Sequence, residues 1–346
     1  MKFYRLISLI MIAAMALAAC STATPTAAPT ATTAPAAAAT ATSAPAATAT
    51  SVPATATTAP TVAASPTPAA PTATATPAAP TPVASIPADK LVQKGHLLIC
   101  TDFPYPPQEF FDDNGNPQGL DVEIGNEIAK RLGLQVQYVN SVFDTIIAAV
   151  TSGKCDIIIS AMNITTDRQK QVSMIPYFQA GQSFVAVKGN PQNINTWQDL
   201  CGKSAAAESG TTEADYLQGT GDYKGKGLTQ QCVAKGLKPI TVVVTQKDTD
   251  ALQQLQAGKV AIYSTDSPVA AYYTVQHPDL FQIVGQMMEP VKEGINMPCG
   301  AADCTNAPLT EVGSAVKTAL QSMMADGTYA KILAKWNLSD SAVTLP

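Results

Sequence analysis

Histidine is almost missing from this chain of 346 residues: there are two, His96 and His277, far apart in sequence. No run of cysteine and histidine has zinc-ligand spacing, which argues against a metal centre. Charge is sparse as well, at 14% of residues, and residues 21–86 carry none. A basic surplus is also lacking. Without Lys2 and Arg5, 19 basic and 26 acidic residues remain, a net charge near −7, so nucleic acid is not an expected partner. Leu6–Leu17 is apolar but too short to span a bilayer comfortably.

What is there falls into three stretches. Lys2 and Arg5 precede the apolar stretch, which ends in Leu17-Ala18-Ala19-Cys20. Residues 1–20 read as a signal peptide. Leu-Ala-Ala-Cys resembles a bacterial lipobox, which implies lipidation of Cys20 and a membrane anchor. The alternative is an ordinary signal peptide cut near an Ala-x-Ala site. Residues 21–86 are almost entirely Ala, Thr, Pro and Ser, too poor in large apolar side chains to bury a core. They read as a disordered tether, about 45 Å across as a coil and about 200 Å fully extended. Residues 87–346, 260 in number, suffice for two lobes.

Six cysteines follow Cys20, and an even count in an exported protein suggests disulfides. Cys299 and Cys304 flank a short loop and form the first expected pair. Cys201 and Cys232 bracket the segment that holds the glycine-rich stretch 219–227. Closing that loop would stabilise by about 3–4 kcal/mol on the chain-entropy view. Cys100 and Cys155 remain by elimination. They would sit at opposite ends of two parallel strands, which argues against a bond, and buried free thiols are the alternative.

The folded part alternates. His96–Cys100 predicts a strand, followed by the aromatic and proline-rich loop at 102–107. A helix comes next, with Ile124, Ile128 and Leu132 on one face, a Glu127–Arg131 pair and a stop at Gly133. Gln135–Val139 is a strand, Asp144 is expected to cap a second helix, and Cys155–Ser160 is a strand again. The motif of helix, Gly-Lys, strand and polar turn recurs at 249–267, with Asp248-Thr249-Asp250 as the expected cap. Ser204–Ala207 is read as a strand against its alanine-rich composition. This is an α/β fold of two doubly wound halves.

Four polar clusters sit at strand carboxyl ends: Thr101-Asp102, Ser160 to Arg168, Glu208 to Thr212, and Ser264 to Asp266. Two facing lobes would bring all four to one cleft. Each alone has a bland reading as a cap, a turn or a solvated charge. Arg168, at the start of a helix, is suited to a carboxylate. Thr211 and Thr212 open another helix, a second carboxylate donor, with Thr212 and Asp215 at capping-box spacing. Asp266 is the natural counter-ion of an ammonium. Tyr105 and Phe143 offer flat apolar surfaces to an aliphatic side chain, or are ordinary core.

The chain resembles the extracellular solute-binding proteins, family 3, of ABC amino-acid importers over about residues 90–340. The likeness is carried by the segments 102–107, Gly119–Ile124, Thr165–Arg168, Pro176–Phe178, Asp199–Lys203, Ser209–Thr212, Asp266–Val269 and Asp326–Tyr329, leading to Lys335-Trp336. It implies a periplasmic-binding-protein type II fold, two doubly wound lobes joined by a two-strand hinge. Lobe 1 would comprise 87–180 and 291–346, and lobe 2 would comprise 181–290. Arg168 would clamp a ligand α-carboxylate, helped by the N–H groups of Asn163 and Thr212. Asp266 and the Ala161 carbonyl, with the Asn163 side chain, would hold the α-ammonium. Asp102 and Glu208 would face the distal end. Asn163 stands where Ser or Thr is usual, Ala261 replaces an Asp, and 297–306 resembles an insertion.

The resemblance implies an extracytoplasmic receptor, anchored by lipid on Cys20 at the cell surface or in the periplasm. It would be a monomer without cofactor or metal. It would bind a free polar L-amino acid and deliver it to an ABC permease and its ATPase. Asp102 and Glu208 motivate a basic ligand: arginine, lysine, ornithine or histidine. Glutamine is the competing choice. Two other functions share the scaffold: a dehydratase similar to cyclohexadienyl dehydratase, with Glu208 as its acid, and a receptor for a signalling partner.

Overall fold

A computed structural model describes residues 81–286, 288 and 290–345. The signal peptide, the lipidation site Cys20 and the tether up to residue 80 lie outside the described residues. Among the described residues, no helix is long and apolar enough to cross a membrane.

The first run of elements is β1 (His96–Thr101), β2 (Phe110–Phe111), β3 (Pro117–Gln118), α1 (Leu120–Arg131), β4 (Gln135–Asn140), α2 (Ile146–Thr151), β5 (Ile157–Ile158), α3 (Thr166–Gln169) and β6 (Ser173–Ala180). The chain then crosses at Gly181 into β7 (Gln182–Val187), β8 (Ser204–Glu208), α4 (Thr212–Gln218), α5 (Leu228–Ala234), β9 (Thr241–Thr245), α6 (Asp248–Gln256), β10 (Ile262–Asp266), α7 (Ser267–Gln276) and β11 (Phe281–Val284). It returns through 285–290 to β12 (Val291–Met297), α8 (Glu311–Ala325) and α9 (Thr328–Lys335).

Two five-stranded sheets result, ordered β4-β1-β5-β12-β6 and β11-β7-β10-β8-β9. Each is mixed. β1 lies parallel to β4 and β5, and β8 parallel to β9 and β10, while β12 and β7 run antiparallel to their neighbours. The fold is therefore α/β with two lobes, one sheet in each. Every parallel strand ends on the side where the lobes meet, which is where open α/β sheets hold ligands.

The helices pack by their apolar stripes. Leu120, Ile124 and Ile128 of α1 are fully buried against Leu97 and Ile99 of β1. Arg131 pairs with Glu127 at 2.9 Å, and also reaches Asp326 at 2.7 Å, which ties α1 to the end of α8. Ala205, Ala206 and Ala207 form a buried central strand. Alanine suits that strand because α4 and α6 press on its two faces, and packing overrides its weak strand propensity.

Three readings change, and one pairing reached by elimination proves to be bonded. Residues 82–86, expected in the tether, lie on the first lobe: Val83 N–H donates to the Arg131 carbonyl at 2.9 Å, and Ala84 and Ile86 pack on its core. Asp144 does not cap α2, whose N-cap is Thr145; its carboxylate accepts from Ser209 Oγ at 3.2 Å. Asp248 does not cap α6 either, because Tyr263 and Thr265 donate to its buried carboxylate. Cys100 and Cys155 are bonded, with Cα atoms 5.7 Å apart. The chain bends at Lys154 and Asp156 before β5 begins, so Cys155 is not held at the far end of a straight strand. Cys201–Cys232 and Cys299–Cys304 are bonded too.

Candidate ligand-binding site

All ten sequence-derived candidates line one cavity between the lobes: Asp102, Tyr105, Phe143, Ala161, Asn163, Arg168, Glu208, Thr211, Thr212 and Asp266. Glu109, Ser160 and Glu213 line it with them.

The Arg168 end is assembled from strand and helix termini. Beyond β5, Ala161 takes a left-handed conformation (φ 42°), and its N–H donates to Asp121 at 2.8 Å. Thr165 caps α3 by accepting the Arg168 N–H at 3.2 Å. That turn aims the buried Arg168 guanidinium across the cleft. Nη1 donates to the Asn163 carbonyl and Nη2 to the Gly210 carbonyl of the other lobe, each at 2.8 Å. The guanidinium carbon lies 5.4 Å from the centre of the Phe143 ring. Gly210 is needed here: its φ is 78°, and a Cβ would stand 2.6 Å from the Asp144 Cα across the interface.

Opposite, Thr211 is the N-cap of α4 and accepts from Ala214 N–H at 3.2 Å. The cap is therefore Thr211, and the capping box expected at Thr212 and Asp215 does not form, since the residue three beyond Thr211 is Ala214. Thr212 Oγ1 instead accepts from Asn163 Nδ2 at 2.8 Å and Gln182 Nε2 at 2.9 Å. The Asn163 amide thus bridges the lobes where a hydroxyl was usual.

Tyr105 does more than offer a flat face. Its hydroxyl crosses to the second lobe and donates to Asp266 Oδ2 at 2.8 Å. The other Asp266 oxygen has no hydrogen-bond partner. Glu213, in the first turn of α4, lies close enough to Asp266 for the two carboxyls to act on each other, and it also keeps an unpartnered oxygen. Burial pushes both carboxyls up, that of Asp266 strongly, and the Glu213 charge adds to the push on Asp266.

At the far end, Asp102 accepts from Phe143 N–H at 2.8 Å and from Lys247 Nζ of the second lobe. Lys247 also donates to the Phe103 carbonyl at 3.2 Å. Burial raises the Asp102 carboxyl, and Lys247 opposes that rise. Glu208 is pushed up to about 10, first by burial, then by the charges of Asp248 and Asp102.

Lys247 and Glu213 had no role in the sequence reading. Lys247 follows the carboxyl end of β9, so the strand-end rule that found the other clusters reaches it. Glu213 is adjacent to Thr212 in the same helix start. Glu109 had no comparable signal: its carboxylate accepts from Ser160 Oγ at 2.7 Å only because the 102–109 loop folds back. Five buried carboxyl groups, those of Asp102, Glu109, Glu208, Glu213 and Asp266, line the cavity against one cation in its lining, Arg168. Among the described residues, no group of three or more His, Cys, Asp or Glu could hold a metal ion.

The profile of the bacterial extracellular solute-binding proteins, family 3, matches residues 97–339. The chain is 24% identical to the L-cystine-binding protein TcyJ of Escherichia coli K12 over 249 residues, 72% of this chain and 85% of that protein. It is 26% identical to the arginine-binding protein ArgT of Corynebacterium glutamicum over 252 residues, covering 73% and 77%. Two structures of an ancestral arginine-binding protein, one bound to arginine and one to glutamine, are each 35% identical with a TM-score of 0.60. They cover 70% and 71% of this chain, and 98% and 99% of their own. The chain belongs to the bacterial extracellular solute-binding proteins, family 3, and is a solute-binding protein rather than an enzyme.

Proposed function

We propose that the chain is a receptor that captures a free basic L-amino acid, arginine foremost, between its lobes and presents it to an ABC permease with its ATPase. The excess of buried carboxyl groups over cations at the cavity carries this reading. One seat is cationic, at Arg168, and suits an α-carboxylate, with the N–H groups of Asn163 and Thr212 beside it. The seat at Asp266 and Glu213 suits an α-ammonium, with the Ala161 carbonyl. Asp102 and Glu208 then remain for a positive distal group, and Tyr105 and Phe143 flank the aliphatic stem. A distal cation would draw the proton from Glu208 and share Asp102 with Lys247, gaining charge-assisted bonds that a neutral side chain cannot form.

A ligand that touches both lobes binds the closed form more tightly and shifts the population toward it. The crossings at Gly181 and just before Val291 serve as the hinge. We further propose that Cys20 carries the lipid that holds the receptor outside the cytoplasm, with the Ala/Thr/Pro tether as its leash. Names of similar proteins support the ligand class, since arginine occurs among them repeatedly.

The test is mass spectrometry of small molecules released from the purified protein, followed by calorimetry with arginine, lysine, ornithine, histidine, glutamine and cystine. Tightest binding to a basic amino acid is expected. Binding of glutamine or cystine alone would overturn the ligand assignment.

A further inference from the structure

Asp222 is not among the residues lining the cavity, yet it reaches from the second lobe to the first. Its Oδ2 accepts from Thr166 N–H at 2.8 Å and its Oδ1 from Asp167 N–H at 3.2 Å. These are the first two amides of α3, the turn that carries Arg168. The lead amides of a helix have no partner within it, and an anion is favoured beside them. The third amide, that of Arg168, is taken by the Thr165 hydroxyl. The Arg168 turn is thus held by its own N-cap and by a carboxylate from the opposite lobe.

The turn that presents Asp222 is prepared within its own lobe. α4 stops at Gly219 in the left-handed conformation, φ 76°. Gly219 and Thr220 N–H both donate to the Asp215 carbonyl, at 2.7 and 3.1 Å, and Thr220 Oγ1 donates to the Asp215 carboxylate. Gly221 has φ 50°, and a Cβ there would run into that carboxylate. A glycine-rich stretch that looks like bare linker in the sequence is therefore a rigid mount for one side chain.

We propose that Asp222 is a closure latch and a positioning residue for Arg168, one that sets affinity for every ligand of the cleft without choosing among them. This rests on the reading that the cleft binds an amino acid. The contact joins residues of different lobes, so it lowers the free energy of the closed form alone. Apparent affinity scales with the fraction of protein in the binding-competent form.

The test compares wild type, Asp222→Ala and Asp222→Asn by calorimetry and stopped-flow release with arginine, lysine and glutamine. Two charge-assisted but exposed bonds are lost in the alanine variant, and affinity should fall about tenfold for each ligand. Most of that factor should appear as faster release, and the ratios between ligands should stay at wild-type values. Asparagine keeps one acceptor oxygen and should lie between. Unchanged affinity in both variants would overturn the latch, and so would a loss confined to one ligand. A wild type that binds no amino acid would overturn the proposed function, and the latch with it.

Discussion

Replacing Glu208 by glutamine tests whether the distal end of the cavity is built for a cation. The change keeps the shape and removes the ionisable group. As placed, Glu208 holds its proton at pH 7, because burial and the charges of Asp248 and Asp102 push it up to about 10. A guanidinium about 4 Å away contributes on the order of 4 kcal/mol at an effective dielectric of about 20. That draws the carboxyl well down in the complex. Where the free receptor holds this proton and the complex does not, binding expels it, so affinity for arginine must rise with pH. The rise between pH 6 and pH 8.5 should be about tenfold or more for arginine, and clearly smaller for glutamine, whose one cation is the α-ammonium beside Asp266. Calorimetry in buffers of different ionisation heat reads the released proton directly. In Glu208→Gln the arginine slope should fall to that of glutamine. A wild type whose arginine affinity does not change with pH, or a variant that keeps the slope, would refute the reasoning.

Three further outcomes follow from the same geometry. Arg168→Lys should weaken binding of every amino acid about a hundredfold by calorimetry, since one ammonium cannot hold the Asn163 and Gly210 carbonyls and a ligand carboxylate together. Unchanged affinity would remove Arg168 from the site. Lys247→Met frees Asp102 from its counter-ion, so competition binding should show the arginine-to-glutamine affinity ratio rising about fivefold. A falling ratio would mean that Lys247 assists the cation. Burial holds the carboxyls of Asp121, Asp248 and Glu208 at about 6, 7 and 10, above their unfolded values. Their contribution to stability is complete below the unfolded values and is lost as pH rises through the folded ones, so without added amino acid Tm should fall from pH 5 to pH 8.5. A melting temperature that climbs over that range contradicts the burial account.

The sequence carried the outline of the site because strand ends are local signals. Thr101-Asp102, Ser160, Glu208 and Asp266 each follow an apolar run, and sheet topology then brings them together without further information. Side-chain partners were less legible. Asp144 and Asp248 both stand at helix starts, where a cap is the local expectation. Ser209 from the facing lobe claims one, and Tyr263 from the neighbouring strand claims the other. Lys247 was hidden for the same reason: nothing in its own segment indicates that Asp102, 145 residues away, will receive its ammonium. The alanine strand at 205–207 shows the converse, where composition argued against an element that packing requires.

The three disulfides respect the division into lobes. Cys100–Cys155 and Cys299–Cys304 staple the first, and Cys201–Cys232 staples the second. Among the described residues, no covalent cross-link spans the cleft. The bonds of Tyr105, Asn163, Arg168, Asp222 and Lys247 across the interface are all reversible on thermal timescales. Oxidation outside the cell can therefore harden each half against unfolding without adding any resistance to opening. The molecule can be durable and quick to release its cargo at the same time, because separate bonds govern the two properties.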